Sequence, residues 1–215
     1  SLAMHNHAGR LQLALIDPKG RGFGPLSDLP HVWRRQGVVQ ETDSALALLQ
    51  ELVLEMERRD RANRSLPRIV VAIDELADLL QSGGKPVGDA LQRLTQRGRE
   101  AGLHVVAATQ RPAATLVGGL VKANFPVRLV GSVVSAEDAK VATGIGGSGA
   151  ERLLGRGDFL LVAKGQVIRF QAAYADDQEL ARVVHRVGTG GRRRRSWQST
   201  NLPALPARGG SAGPG

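Results

Sequence analysis

The sequence RIVVAIDELADLL, residues 68–80, decides the fold class, because an apolar, β-branched run ends abruptly in two adjacent acids. Residues 69–73 form the kind of continuous apolar run that is typical of strands buried on both faces of a parallel sheet. Asp74 and Glu75 follow at the end of that strand, and in open α/β sheets ligands bind outside the carboxyl ends of the strands. The stretch therefore predicts an α/β fold with a polar site at this strand end.

The remainder of the chain alternates between strand and helix patterns. Predicted strands occupy residues 10–17, 103–109 and 127–134, and predicted helices occupy residues 42–63, 88–102 and 175–188. Another helix is expected after Ser135 as its N-cap, and Thr42 or Asp43 should cap the helix over 42–63. Residues 158–164 and 166–174 are predicted to form an antiparallel hairpin around Gly165. The pattern predicts a mostly parallel sheet with helices on both faces and an antiparallel hairpin late in the chain.

The composition narrows the possible classes of protein. The chain has 215 residues, 42% of them hydrophobic, which suffices for one sizeable core. The absence of cysteine excludes disulfides, thiolate metal sites and cysteine nucleophiles. No apolar run approaches the roughly 20 residues that a membrane-spanning helix needs, and the first residues, SLAMHNHAG, do not resemble a signal peptide. Because the chain begins without methionine, we expect it to be part of a longer protein.

The positive charge is unevenly distributed along the chain. The formal net charge is +9, and the segment from residue 189 onward holds five arginines and no acid. We therefore predict a mildly basic folded domain over residues 1–188, followed by a disordered tail or linker over residues 189–215. The four consecutive arginines at 192–195 fit a solvated linker, or a segment that adds non-specific contacts to a polyanion.

The two acids after residues 69–73 suggest a nucleotide site. A short apolar run followed by Asp-Glu is the form of a Walker B element, in which the Asp holds Mg²⁺ beside nucleotide phosphates. The following Glu can polarise an attacking water. Asp74 alone could instead cap a helix formed by ELADLL, but two adjacent buried acids are costly without a cation. The pair therefore predicts nucleotide hydrolysis, with Asp74 at the metal and Glu75 at the water.

Three further positions have alternative interpretations. Asp17 ends the first predicted strand and is either a turn residue or part of the same site. Gln110 ends another predicted strand and either contacts the γ-phosphate of a nucleotide or bonds to the backbone. Arg99 could reach a phosphate in a neighbouring subunit, or it could be an ordinary surface arginine, and Arg93 and Arg97 compete for the same role.

No segment has the form of a phosphate-binding loop. The glycine-rich stretch GIGGSGAERLLGRGD, residues 144–158, has Ala150 and Glu151 where GxxxxGK[ST] requires Lys and Ser or Thr. We predict a loop with a short helix there instead. Without a phosphate-binding loop, the chain by itself is expected to be inactive as an ATPase.

Several long motifs resemble the motor domain of the FtsK/SpoIIIE DNA translocases, which serve chromosome segregation at cell division or sporulation. They are LALIDPK (13–19), IVVAIDELADLL (69–80), LTQRGREAGLHVVAATQRPAATLVGGLVKANFPVRL (94–129) and GAERLLGRGDFLL (149–161). Their order and spacing match those of the family, from about residue 11 to residue 187. The resemblance implies a RecA-like P-loop NTPase core without its first strand and phosphate loop, which would lie upstream together with any membrane segments. It also implies a cytoplasmic motor that forms a hexameric ring around double-stranded DNA.

The same resemblance implies residue roles at the nucleotide. ATP and Mg²⁺ would be the cofactors, with Asp74 and Glu75 as the Walker B pair. Gln110, in TQRP, would be the γ-phosphate sensor. Arg99, in QRGREAG, would act as a finger on the nucleotide of a neighbouring subunit.

Three basic residues are implied to face the DNA, namely Arg111, Lys122 and Lys140. Their contacts should be made with backbone phosphates. Such contacts are independent of base sequence and sensitive to salt.

Two other classes of protein stay open at this point. A ring ATPase of conjugative DNA transfer or type VII secretion would share the RecA-like core, although TQRP and GAERLLGRGD favour the chromosome translocases. A non-hydrolysing DNA-binding or scaffold module would fit a chain that has no phosphate loop.

Overall fold

The computed structural model describes residues 1–110 and 124–189. The strands are β1 (Leu11–Ile16), β2 (Val38–Val39), β3 (Arg68–Ile73), β4 (Leu103–Ala107), β5 (Val127–Val130), β6 (Asp158–Ala163) and β7 (Gln166–Gln171). The helices are α1 (Leu2–His5), α2 (Thr42–Arg61), α3 (Leu76–Arg97), α4 (Ala136–Thr143) and α5 (Asp177–Thr189). None of the helices in these ranges is long and apolar enough to cross a membrane. The predicted tail beyond residue 189 lies outside the described residues, and so do Arg111 and Lys122.

Four parallel strands form the sheet that carries the acid pair, in the order β2-β1-β3-β4. The pairing of β1 with β3 ends at Ile16 opposite Ile73, and the pairing of β3 with β4 ends at Ile73 opposite Ala107. This register places the carboxyl ends of β1, β3 and β4 at the same edge of the sheet.

Helices cover both faces of this sheet, as the continuous apolar strands predict. On one face, a core of α2 and α3 side chains packs against alternate strand residues that include Ile16 and Ile73. On the other face, Leu13 and Leu15 belong to a second apolar cluster with Val184 of α5. The predicted α/β class with a parallel sheet is confirmed.

The prediction that Thr42 or Asp43 caps α2 is wrong, because the N-cap is Glu41. The Thr42 hydroxyl instead donates to Ser82 Oγ of α3 at 3.0 Å. Asp43 lies in the first turn, where a negative charge is favourable at the positive end of the helix dipole. The hydroxyl of Thr42 therefore links two helices rather than closing one.

α3 contains both the helical segment expected for ELADLL and most of the helix predicted over 88–102, and it ends at Arg97 rather than at residue 102. It is interrupted at Gly84, whose φ of 55° and ψ of −147° are not helical, and Pro86 lies just beyond the interruption. Glycine and proline ordinarily end helices. Here they mark a kink between the two predicted helical segments, which the structure joins into one element.

A tight turn joins α3 to β4 and explains two glycines of QRGREAG. Gly102 has a φ of 79°, and a Cβ there would lie 2.0 Å from the carbonyl oxygen of Ser65. A Cβ on Gly98 would lie 2.3 Å from the carbonyl oxygen of Leu94. Neither position can hold a side chain without movement of the backbone.

β5, β6 and β7 form a separate antiparallel sheet. The hairpin predicted for residues 158–174 is confirmed as β6 and β7. β5 was expected among the strands that alternate with helices, but it ends at Val130 and pairs antiparallel with β6. The reason is a core of its own, in which Val130 and Leu160 pack with Ala139 of α4 and with Leu153.

Two local predictions between β5 and β6 are confirmed. Ser135 caps α4, since its Oγ accepts a hydrogen bond from the Asp138 N–H at 3.1 Å. The glycine-rich residues 144–158 form a loop around a single 3-10 turn, Ala150–Arg152.

An ion pair between Asp158 and Arg169 joins β6 to β7. The carboxylate accepts hydrogen bonds from Arg169 Nε (2.8 Å), from Arg169 Nη2 (2.6 Å) and from the Leu154 N–H (2.8 Å). Arg169 first, and then the Leu154 N–H, lowers the pKa of Asp158 from 3.8 to about 2.

Arg169→Met is expected to destabilise the chain in a pH-dependent way. A carboxyl group whose pKa is lower in the folded state stabilises the fold fully above its unfolded pKa and loses that contribution as the pH falls toward its folded pKa. The cost of the substitution should therefore be constant above about pH 4 and fade as the pH approaches about 2. Urea unfolding of both chains across this pH range measures it, and a difference that persisted unchanged at the lowest pH would contradict the assignment.

Candidate functional site

The carboxyl ends of β1, β3 and β4 bring together segments that lie far apart in the chain. Asp17 and Asp74 directly follow the paired residues Ile16 and Ile73, and the Asp74 N–H donates to the Ile16 carbonyl at 2.9 Å. On the other side of β3, the Ala108 N–H donates to the Ile73 carbonyl at 2.9 Å. The three strand ends that carry polar residues in the sequence therefore meet at one edge of the sheet.

Asp17 organises the loop that follows β1. Its side chain is fully buried and accepts hydrogen bonds from the backbone N–H groups of Gly20 (2.8 Å), Gly22 (2.7 Å) and Phe23 (3.0 Å). Burial alone would raise the pKa of Asp17, but these N–H groups outweigh it and hold the pKa below its ordinary value. Of the two interpretations of Asp17, its contacts support the turn residue.

Asp74 lies beside Asp17 at the same edge. Burial first, and then the charges of Asp17 and Glu75, raises the pKa of Asp74, while Lys19 opposes that rise. A Cβ on Gly22 would lie 3.3 Å from Asp74 Oδ2 and 3.7 Å from Asp17 Oδ2, so the two carboxylates face the same stretch of backbone. This concentration of negative charge favours a bound cation.

The Asp74 carboxylate fits a magnesium ion that takes most of its ligands from water and from a bound substrate. Across residues 1–110 and 124–189, no group of three or more His, Cys, Asp or Glu side chains is arranged to hold a metal ion. Mg²⁺ commonly binds through one or two carboxylates, while water and substrate phosphates complete its shell. The Asp74 carboxylate suits that mode of binding.

Glu75 starts α3 in a strained backbone conformation. Its φ of 58° and ψ of 69° lie in the left-handed region, which costs a residue with a side chain about 1 kcal/mol or more. Glu75, rather than Asp74, occupies the N-cap position, and its side chain makes no capping hydrogen bond. Backbone strain of this kind is concentrated at functional sites, where the surrounding structure holds it in place.

The end of β4 holds the Glu75 carboxylate, which is only 3% exposed. The Thr109 hydroxyl donates to Glu75 Oε1 at 2.5 Å, and the Gln110 N–H donates to Glu75 Oε2 at 3.1 Å. The Leu76 N–H donates to the Ala108 carbonyl at 2.7 Å, which fastens the start of α3 to the same segment. A carboxylate oriented in this way can accept a proton from a water at a defined place.

Lys19, which sequence reasoning did not place at the site, reaches the same carboxylate. Its Nζ lies 3.0 Å from Asp78 Oδ2 and 3.6 Å from Glu75 Oε2. Asp78 first, and Glu75 as well, raises the pKa of Lys19, which keeps the ammonium group charged. The signal that could have found Lys19 is its place two residues after Asp17, in the loop that Asp17 closes.

Of the predicted site residues, the structure brings Asp74, Glu75 and Gln110 together but not Arg99. Gln110 touches Glu75 through its backbone N–H, while its side chain is exposed. Arg99 precedes β4, which begins at Leu103. Since a strand rises about 3.3 Å per residue, Arg99 lies on the order of 15 Å from the Glu75 edge, at the amino ends of the strands.

The three candidate arginines near the end of α3 differ in their surroundings. Arg93 and Arg97 form ion pairs with acids of α2. Arg99 lies instead near His104, whose pKa is lowered by burial first and then by nearby arginine charges, that of Arg99 among them. The ion pairs distinguish Arg99 from its two competitors.

Of the three predicted DNA contacts, Lys140 alone falls within the described residues. Lys140 is an exposed residue of α4, the helix that packs on the β5-β6-β7 sheet. Arg111 and Lys122 lie outside the described residues. The roles of all three residues stay predictions from the sequence.

The sequence is similar to those of known DNA translocases. The model of the FtsK/SpoIIIE family matches residues 1–65 and 60–114. The DNA translocase FtsK of Staphylococcus epidermidis is 37% identical over 215 aligned residues, which cover 87% of this chain and 26% of that protein. The DNA translocase FtsK of Campylobacter jejuni is 37% identical over 206 aligned residues, which cover 86% of this chain and 21% of that protein. The chain thus spans about a quarter of the length of these relatives.

Solved structures of other proteins share the fold. The pCW3 conjugation coupling protein TcpA, in a monomer form with ATPγS, has a TM-score of 0.69 at 22% identity over 86% of this chain and 58% of that one. The cytoplasmic domain of the type VII secretion ATPase EccC of Thermomonospora curvata has a TM-score of 0.70 at 22% identity over 95% of this chain and 27% of that one. At this identity the likeness establishes the fold, and it confirms the predicted fold class.

Proposed function

This chain belongs to the FtsK/SpoIIIE family, and on that premise we propose that it is part of the motor of an ATP-driven translocase of double-stranded DNA. The observation that carries the proposal is the Glu75 carboxylate, which Thr109 and Gln110 hold beside the partly buried Asp74. Two acids in this arrangement suit a site where a metal-bound nucleotide meets an attacking water.

The residues at this edge of the sheet would divide the work of ATP hydrolysis. ATP, when bound, supplies the γ-phosphoryl group, and Mg²⁺ supplies the positive charge that offsets the negative charge of that group. Asp74 would hold the cation, commonly through water. Glu75 would orient the attacking water and take up its proton on a carboxylate oxygen. The exposed side chain of Gln110 would contact the γ-phosphate.

Arg99 lies too far from Glu75 of its own chain to act on the same nucleotide. We therefore infer that Arg99 acts on the nucleotide of a neighbouring subunit, as an arginine finger does. Arg93 and Arg97 suit that role less well, because acids of α2 already pair with them. A finger in trans requires an assembly, and the form that we propose is a homohexameric ring around the DNA.

The division of the chain follows from the same proposal. Residues 1–188 would belong to the motor, on the cytoplasmic side of the full-length protein. The arginine-rich residues from 189 onward would be a linker that adds non-specific attraction to DNA.

DNA-stimulated ATP hydrolysis by the full-length protein tests the proposal. We expect linear duplex DNA to raise the rate of ATP hydrolysis several-fold over the DNA-free rate. Hydrolysis that no duplex stimulates would overturn the DNA motor. Stimulation by single-stranded DNA alone, or by a secretion substrate, would move the assignment to the conjugative or secretion ATPases.

The double variant Arg111→Ala/Lys122→Ala should weaken binding to all duplex sequences alike. The physical reason is that the two side chains are proposed to neutralise backbone phosphates, so the slope of log K against log salt should fall by about one for each phosphate that is no longer neutralised. Fluorescence anisotropy with two unrelated duplexes at several salt concentrations measures both effects. Lys85→Ala/Lys164→Ala removes the same charge elsewhere and is the matched control. Weaker binding to only one of the two duplexes would contradict the assignment to the DNA backbone.

A further inference from the structure

We propose that Lys19 is a positioning residue for Glu75, acting through the ion pairs that it forms with Glu75 and Asp78. The inference rests on the proposed ATPase function and adds to it a residue from a third strand end. Thr109 and Gln110 hold Glu75 from the β4 side, whereas Lys19 approaches from the β1 side.

The loop after β1 presents Lys19 in a defined place. The Gly20 N–H lies 3.0 Å from the Asp17 carbonyl and 2.8 Å from Asp17 Oδ1, so the backbone is closed on either side of Lys19. The Gly22 N–H adds a bond of 2.7 Å to Asp17 Oδ2. Because the buried Asp17 carboxylate fixes this turn, the backbone that carries the Lys19 side chain is held in one place.

The ammonium group of Lys19 bridges two acids, Asp78 of α3 and the N-cap residue Glu75. Asp78 lies in the first turn of that helix, three residues after Glu75, and it forms the shorter of the two ion pairs, 3.0 Å against 3.6 Å. Asp78 thus anchors the ammonium group so that it faces Glu75 Oε2. The same oxygen accepts a hydrogen bond from the Gln110 N–H, and this bond together with the ion pair to Lys19 limits how the carboxylate can rotate.

Because Lys19 is partly exposed, the effect of its substitution on catalysis can be measured separately from any effect on stability. Its side chain is 38% exposed, and ion pairs of such residues contribute little to stability. Removal of the lysine should therefore leave the fold intact. It would leave Glu75 with one fewer partner and place Asp74, Glu75 and Asp78 near one another without the compensating charge.

Lys19→Met and Lys19→Arg in the full-length protein test this inference. We expect Lys19→Met to lower kcat for ATP hydrolysis about tenfold or more, since small misplacements of a reacting group are costly. KM and the melting temperature should stay unchanged, because Lys19 is assigned no contact with the nucleotide and little part in stability. Lys19→Arg keeps the charge and the reach, so it should restore most of the kcat.

Lys85→Met is the matched control, because Lys85 forms its ion pair with Asp89 on the same helix, away from Glu75. It should leave kcat unchanged. The inference is overturned if Lys19→Met leaves kcat unchanged, if it raises KM at constant kcat, or if its decrease in activity only follows a decrease in folded protein. A wild-type protein that hydrolyses no ATP would overturn the proposed function instead, and the inference with it.

Discussion

Glu75→Gln in the full-length protein is expected to lower kcat for ATP hydrolysis by about a hundredfold or more while ATP binding is retained. Glutamine has nearly the same shape, and its side-chain oxygen can still accept the hydrogen bond that the Thr109 hydroxyl donates to Glu75 Oε1 in the wild-type protein. It cannot take up a proton from water, and it removes the charge that faces Lys19. Steady-state hydrolysis gives kcat, and a fluorescent ATP analogue gives the affinity.

Glu57→Gln is the control for the removal of a glutamate charge. Glu57 lies on α2 and pairs with Arg93, so its substitution should leave both kcat and nucleotide affinity as they are. If Glu75→Gln hydrolysed ATP at the wild-type rate, Glu75 would not be the residue that activates the water. If it abolished nucleotide binding along with hydrolysis, the role of Glu75 would lie in binding.

Arg59→Met should lower the free energy of unfolding by about 3 kcal/mol, because it removes a buried charged group together with its three hydrogen bonds. Arg59 is 1% exposed and donates to Glu55 Oε1 at 2.6 Å. Its Nη1 also donates to the carbonyl oxygens of Pro67 (2.6 Å) and Ala101 (3.1 Å), which precede β3 and β4. One guanidinium group therefore ties α2 to the amino ends of both strands, and methionine has no donor to replace it.

Urea unfolding of the chain measures this decrease, with Arg93→Met as the control. Arg93 forms an ion pair between α2 and α3 but is 52% exposed, so its substitution should cost less than about 1 kcal/mol. Equal effects of the two substitutions would show that burial of Arg59 adds nothing to its contribution.

The sequence predicts best where one kind of local signal dominates. The apolar runs of β1, β3 and β4 predict a buried parallel sheet, and Asp74 and Glu75 predict a polar site at its edge. Prediction was incomplete where two signals compete, as in α3, where Gly84 and Pro86 separate two helical segments that the structure joins across a kink. It failed for β5, because a strand pattern does not say which strand will be its partner.

The role of Asp17 also could not be decided from the sequence alone. Its residue type and its place before a proline allow a turn as well as a site, and only the fold shows three backbone N–H groups turned toward its carboxylate. The sequence favoured Arg99 as the finger but left Arg93 and Arg97 as competitors. The packing of α2 against α3 separates them by supplying acids to Arg93 and Arg97.

The sequence by itself determined the family of this protein, through its long motifs, and it placed two acids at the end of a buried strand. The tertiary structure decided how Glu75 is held. Its partners Lys19, Thr109 and Gln110 come from the ends of β1 and β4, which flank β3 in space although they are distant from it in the chain. The physical reason is the register of parallel strands, which brings carboxyl ends from distant segments to one edge of a sheet and so makes neighbours of residues that no local pattern connects.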